Sequence, residues 1–521
     1  MQNRTVIRSC VLCLWVVALG GCGGEDSKKP KSSMKSAGAM SGQADRMMVE
    51  SNTERYDAIV ENGFQNATRE PLSTFSIDVD TASYANVRRM VRDGHKPPAG
   101  AVRIEEMINY FRYNYPRANS PEPFSISVDA TTCPWNKKHQ LVRIGLNAKG
   151  IDLRERPSCN LVFLLDVSGS MSSHDKLPLV KSAMLMLVDR LNAQDRVAIV
   201  VYAGATGMVL PSTPAKNKYK ILDSLYRLSA GGSTNGGEGI RLAYRVAANN
   251  FIKGGVNRVI LCTDGDFNVG TTNDSELVNL AAQKARSGIT LSVLGFGTGN
   301  LNDAMLEKIS NRANGNYNYI DSLREARKAL VQQIQGTLVT VAKDVKIQVD
   351  FNPAYVQEYR LIGYENRMLK TEDFKDDKKD AGDIGAGHQV TALYEVIPPG
   401  QTSKSGKVDP SKYQDRPKSK PKKNGEMLTV RLRYKHPTGK SSHEVLHPLK
   451  VTQLVEFSSA PEDVKFAASV AAFGMLLRNS MHKGSVNLKF ISATAKSALG
   501  KDPNGFRREF LNIVARSEGL E

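Results

Sequence analysis

The sequence predicts an α/β protein: a doubly wound, mostly parallel sheet inserted in a β-sandwich-like domain, with a small helical unit at the C-terminal end. Three observations carry this. From Asn160 to about Gln335, short apolar strands alternate with amphipathic helices, the pattern of a parallel sheet covered on both faces. On either side of that block the patterning is β-like, with too few strands before residue 150 to make a stable sheet alone. Those strands are therefore expected to join the ones after 340, which makes the α/β block an insertion. Beyond Pro461 the apolar spacing becomes helical, with the run Val464–Leu477 apolar on most sides and so expected to be buried.

The elements follow in order. Leu72–Thr81 alternates as a strand, and helices are expected from about Ser83 to Arg92 and around Ile104, Met107, Ile108 and Phe111. Strands follow at Phe124–Ala130 and Leu141–Leu146. In the α/β block, strands are expected at Asn160–Leu165, Arg196–Tyr202, Arg258–Cys262, Ile289–Phe296 and Tyr317–Ile320, with a short edge piece at Met208–Leu210. Helices are expected at Leu177–Leu191, Tyr219–Leu228, Gly236–Phe251, Leu277–Arg286, Leu301–Ala313 and Leu323–Gln335. Five further strands lie at Val345–Phe351, Val356–Gly363, Gln389–Val396, Met427–Tyr434 and His443–Val451. Polar loops near Thr371–Gly387 and Gln401–Gly425 separate them. Pro461-Glu462-Asp463 reads as a helix start, with proline at its first position and acids near the positive end of the dipole. Two more helices follow, near Val486–Ser497 and Asn504–Ala515.

The candidate chemistry lies on one rim of the α/β block. The apolar run Asn160–Leu165 ends in Asp166-Val-Ser168-Gly-Ser170, which offers one carboxylate and two hydroxyls, hard oxygen donors of the kind magnesium prefers. Alone it reads equally well as a polar turn. In doubly wound sheets, however, ligands sit beyond the C-terminal strand ends where strand order reverses. Asp166 lies at such an end, as does Asp264 after Val259–Thr263. Between them the loop Ala230–Gly237 is glycine-rich and carries Thr234, another hydroxyl; it lacks the Gly-Lys-Ser/Thr of a phosphate loop.

Asp166, Ser168, Ser170, Thr234 and Asp264 together resemble the metal-ion-dependent adhesion site of the von Willebrand factor type A (VWA) domain. The resemblance implies a Rossmann-like VWA fold and a magnesium or manganese ion held by the three hydroxyls, with the two aspartates ligating directly or through water. It also implies a protein partner whose acidic group completes the coordination. Phe75–Tyr84, Val102–Tyr110 and Cys133-Pro-Trp135-Asn extend the resemblance to bacterial YfbK-type lipoproteins, which flank a central VWA domain on both sides.

The N-terminus has a positive stretch with Arg4 and Arg8, then an apolar run Val11–Leu19 too short to span a membrane well. It ends Leu19-Gly20-Gly21-Cys22, which resembles a bacterial lipobox. Cys22 would then be lipidated and lead a mature chain of about 500 residues, room for two or three domains. Gly23, where an inner-membrane retention signal would place Asp, favours the outer membrane; the lipid would be the anchor of a periplasm-facing envelope protein. On this reading residues 1–21 are signal, 22–70 a flexible tether, 71–155 an N-terminal flank, 156–338 the VWA domain, 339–456 a β-rich domain and 457–521 the helical region.

Composition excludes several classes. The formal charge is +18, much of it between Gln401 and Gly425, where Tyr413 is the one aromatic, so a base-stacking surface for specific nucleic-acid recognition is not expected. After processing, Cys133, Cys159 and Cys262 remain, too sparse for a disulfide framework; a Cys133–Cys159 bridge stays open. Asp78-Val-Asp80-Thr81 lacks the threonine spacing of the haloacid-dehalogenase phosphatases and is expected to cap the next helix. Asp264-Gly-Asp266-Phe-Asn268 starts like an EF-hand loop but has Val269 at the glycine position. Ser168 is not in a Gly-x-Ser-x-Gly elbow. His443-Glu444-Val445-Leu446-His447 matches the zincin signature and supports an alternative, a periplasmic zinc metallohydrolase. That chemistry needs a helix, whereas Pro448 and the local alternation point to a strand. The expectation is thus a binding protein and not an enzyme; a purely structural envelope lipoprotein is the third option.

Overall fold

Every residue of the strand Cys159–Asp166 is buried, and its side chains divide between two cores. Leu161, Phe163 and Leu165 face one layer of helices, whereas Val162 and Leu164 face the other. A strand wetted on neither face needs apolar residues at every position, which is why this run shows no alternation. The computed structural model describes residues 52–118, 121–152, 154–204, 206–233, 236–265, 274–401, 422–439 and 441–520. The signal sequence, Cys22, Thr234, the loop after Gly265 and most of the lysine-rich segment lie outside the described residues.

Cys159–Asp166 is central in a six-stranded sheet, ordered Tyr317–Ile320, Ile289–Phe296, Val256–Thr263, Cys159–Asp166, Arg196–Tyr202, Thr206–Pro214. All neighbours are parallel except the last, which runs antiparallel along an edge. The expected edge piece is thus a nine-residue strand, carried past its apolar centre by backbone pairing with Arg196–Tyr202. From the central strand the chain first moves to Arg196–Tyr202 on one side, then returns to Val256–Thr263 on the other. That reversal opens a crevice at the strand ends. Helix Leu177–Val188 and the helical stretch Leu323–Leu338 cover one face; Gly236–Asn249, Asp274–Arg286 and Asp303–Arg312 cover the other.

The flanks combine into a sandwich. In one sheet Phe124–Thr132 and Gln140–Ala148 continue through Gln389–Ile397 and Glu358–Ile362; in the other Leu72–Ser76 pairs with Thr340–Phe351, followed by Glu426–Lys435 and Ser442–Lys450. Their inner faces share one core, with Phe75, Ile347 and Val349 from one sheet meeting Val142, Ile144 and Tyr394 from the other. Strands from before and after the α/β block therefore complete each other, and the block is inserted between them. Helices Glu462–Leu477, Leu488–Ser497 and Phe506–Arg516 form a further core with Ala82–Arg92 and Ile104–Asn109. Pro461 stands one position outside its helix, at the N-cap. Among the described residues no helix is long and apolar enough to cross a membrane.

Two expectations are corrected. Residues 52–70, assigned to the tether, lie against the folded chain: Thr53 and Arg55 donate backbone hydrogen bonds to Gly299 and Leu301, and Gln65–Asn66 pairs with Glu358–Tyr359. Backbone bonds of this kind leave no hydrophobic period in the sequence. Asp78 and Asp80 do not cap the following helix, whose N-cap Thr81 makes no side-chain capping bond and donates its hydroxyl to Asn318 Oδ1 at 3.1 Å instead. Instead Asp80 Oδ1 accepts from the amide of Tyr317 at 2.8 Å, and Arg367 pairs with both carboxylates, joining the sandwich to the edge of the inserted sheet.

Candidate metal centre

The central strand delivers Asp166 to the crevice fully buried. Three donors orient its carboxylate: the Ser168 amide to Oδ1 at 2.9 Å, and the hydroxyls of Tyr202 at 3.0 Å and Thr263 at 3.3 Å to Oδ2. Tyr202 and Thr263 close the two neighbouring strands, so sheet register itself places them around Asp166. Burial pushes the Asp166 carboxyl up to about 6, with the nearby charge of Asp264 adding to the rise and the bonds from Ser168 and Tyr202 opposing it. A buried acid short of positive charge is a place where a cation gains energy.

After Asp166 the chain turns through extended Ser168 into a short 3-10 turn, Gly169–Ser172. This brings the Ser168 and Ser170 hydroxyl oxygens to 3.1 Å, the first buried and the second open to solvent. The second loop is stitched to the first by backbone alone: Gly169 donates to the carbonyl of Gly232 at 3.0 Å, and Gly231 to that of Val167 at 2.8 Å. Gly232 has φ +85°, and a Cβ there would lie 3.0 Å from the Gly204 nitrogen, so glycine is required twice over. Thr234, two residues on, lies outside the described residues.

Asp264 follows Thr263 and is likewise fully buried. Its Oδ2 is 3.0 Å from the ammonium of Lys176, which also donates to Asn300 Oδ1 at 3.2 Å. Gly265 lets the loop Leu301–Asn302 pass; at φ +97° its Cβ would sit 2.5 Å from the Asn302 nitrogen. The structure thus brings Asp166, Ser168, Ser170 and Asp264 to one rim and adds Lys176, which sequence reasoning missed. Lys176 is the N-cap of helix Leu177–Val188, where a cation opposes the helix dipole and so calls for a nearby acid.

The donors fit a small hard cation: oxygen only, two carboxylates, and hydroxyls that converge. Among the described residues no three His, Cys, Asp or Glu side chains gather into a softer site. His443 and His447 lie on the strand Ser442–Lys450, opposite Tyr434 and Val430. Four strand residues separate them by roughly 13 Å, too far to share one zinc, and Glu444 and His443 are exposed. Cys133, Cys159 and Cys262 are free buried thiols, the first in a different core from the other two.

Comparison with known proteins places the chain in a family. A family model described as von Willebrand factor type A domain matches residues 160–337, one described as von Willebrand factor matches 50–143, and one for the C-terminal part of uncharacterized protein YfbK matches 336–520. Uncharacterized protein YfbK of Escherichia coli (strain K12) is 43% identical over 476 residues, 90% of this chain and 82% of that protein. Uncharacterized protein sll0103 of Synechocystis is 32% identical over 194 residues, covering 37% of this chain and 45% of that one. Among solved structures, von Willebrand factor type A from Catenulispora acidiphila aligns with 76% of this chain and 92% of its own at 16% identity and a TM-score of 0.41. Fold and rim define a VWA-domain protein. With such identity along most of both chains, this chain belongs to the YfbK family of VWA-domain proteins.

Proposed function

We propose that the chain is an envelope-anchored adhesion module that binds a protein partner through a divalent cation at the VWA rim, with an acidic group of the partner completing the site. The observation that carries this is the convergence of Asp166, Ser168, Ser170 and Asp264 at the strand-order reversal. Ser168, Ser170 and Thr234 would hold magnesium or manganese, and Asp166 and Asp264 would ligate directly or through water. When bound, the cation supplies an electrophilic centre for a carboxylate.

The chain's own groups set the charge of that centre. Asp166 and Asp264 contribute two negative charges and Lys176 restores one positive, so a divalent ion would leave the rim at net +1. That favours an anionic partner over a neutral one. Tyr202 and Thr263 keep the Asp166 carboxylate aimed while the backbone bonds between the first two loops hold the serines in place. VWA domains commonly mediate protein–protein contacts, and lipidation at Cys22 would place this one on the periplasmic side of the outer membrane in preference to the inner.

The test is a magnesium titration followed by calorimetry and thermal shift, wild type beside Ser170→Ala. Ser170 is exposed, so its loss leaves the fold intact. Saturable binding weakened in the variant supports the reading; affinity equal in both proteins refutes the site. Magnesium-dependent stability without any partner binding would instead favour a structural lipoprotein.

A further inference from the structure

A second charged cluster lies away from the metal rim and plays no part in the function proposed above. Arg92 ends helix Ala82–Arg92, Arg324 lies in helix Leu323–Arg327, and Arg508 and Arg516 belong to helix Phe506–Arg516. All four line an open cleft of about 430 Å³, with Asn512 between the last two. Arg508, Asn512 and Arg516 are spaced by four, which puts them on one stripe of their helix.

Among the described residues the one carboxylate in the cleft wall is Glu509, and its charge is already shared three ways. Arg88 reaches it from beneath at 3.1 Å, Arg92 at 2.9 Å and Arg324 at 3.2 Å. Arg324 also donates to the Asn504 carbonyl at 2.6 Å, Arg92 lies 3.7 Å from Asp321, and Arg508 stands 3.7 Å from Asp502. Arg516 donates to the carbonyl of Arg92 at 3.4 Å and has no carboxylate within ion-pair distance among the described residues. The cleft therefore carries surplus positive charge. Gathered guanidinium groups repel one another, and a concave wall focuses their field on whatever enters. The planar fork of arginine matches a tetrahedral oxyanion with two parallel hydrogen bonds.

We propose that this cleft binds a phosphate-class oxyanion, carried either by a phospholipid headgroup or by a soluble phosphate. Arg508 and Arg516 supply the outer contacts, Asn512 a neutral donor between them, and Arg92 and Arg324 the inner wall held in place by Glu509.

The full chain is titrated with inorganic phosphate at constant ionic strength, followed by calorimetry, beside the double variant R508Q/R516Q. Both arginines are exposed and neither pairs with Glu509, so an unchanged melting temperature is expected. The wild type should give a saturable heat, and the variant an affinity lower by about 10-fold or more, the loss of two charge-assisted contacts. Both proteins are then sedimented with phosphatidylglycerol and with phosphatidylcholine vesicles, so that any lipid anchor contributes equally. An arginine-dependent excess on phosphatidylglycerol assigns the site to a headgroup, and phosphate binding without that excess assigns it to soluble phosphate. Equal affinity in the two proteins, or neither a saturable heat nor an arginine-dependent excess, overturns the proposal.

Discussion

Replacing Lys176 by Met removes the internal counter-ion of Asp264 and should bind that region's stability to magnesium. The ammonium lies 3.0 Å from Oδ2, and the two side chains are 10% and 0% exposed. At that separation the attraction is about 5 kcal/mol for an effective dielectric of 20. Part of it offsets the cost of burying both charges, and truncating one partner of a buried pair typically costs about 3–5 kcal/mol. Methionine keeps the aliphatic stem that passes over Gly297, so packing changes little. Without magnesium, the variant should therefore melt several degrees below wild type. With magnesium it should recover part of that loss, because removing a cation beside Asp264 raises affinity for another. By linkage, stabilisation grows as RT ln(1 + [L]/Kd), so a tenfold tighter site adds about 1.4 kcal/mol at saturating metal. Differential scanning calorimetry across a magnesium series measures both effects. A variant whose magnesium-induced shift equals that of wild type would refute the coupling between Lys176 and the metal rim.

Three further outcomes are expected. Glu105 is fully buried, and burial together with the Glu365 charge pushes it up to about 7, Arg478 opposing. A carboxyl raised on folding contributes its stability below the unfolded value, near 4.5, and loses it as pH rises through about 7. Glu105→Gln should flatten the fall in melting temperature between pH 5 and pH 8 and gain up to about 3 kcal/mol at the upper end; an unchanged slope would contradict this. Gly265→Ala should cost on the order of 1–3 kcal/mol from its positive φ and the approach of Asn302, and should reduce the magnesium-induced thermal shift. His443→Ala should leave metal content, measured by emission spectrometry after dialysis, the same as wild type; a stoichiometric zinc lost in the variant would restore the hydrolase reading.

How much was legible depended on where each residue's role is written. The four described rim positions, Asp166, Ser168, Ser170 and Asp264, stand at strand ends, so the break from apolar run to polar turn marks them in one dimension. The insertion was legible for a similar reason: the strands before residue 150 are too few to make a stable sheet alone, and Gln140–Ala148, paired with Phe124–Thr132 on one side, indeed pairs with Gln389–Ile397 on the other. Lys176 was not legible, because its meaning comes from Asp264, 88 residues away in sequence. The same holds for Arg88, a buried arginine on an amphipathic helix that holds Asp321, Glu325 and Glu509 at once. Long-range ion pairs leave no periodicity. Residues 52–70 show no hydrophobic period because scattered long-range contacts hold them: backbone hydrogen bonds, which any sequence can make, the Glu54–Arg89 ion pair and the Asn62 side chain on the Gly363 carbonyl.

Metal-dependent capture of an acidic partner can be observed with the protein itself. Purified wild type and Asp166→Ala, each checked for an intact circular dichroism spectrum, are used to pull down partners from envelope extract in magnesium or in EDTA. A specific protein should be retained by wild type in magnesium and lost both in EDTA and with the variant. Retention of that protein in EDTA and by Asp166→Ala would contradict it.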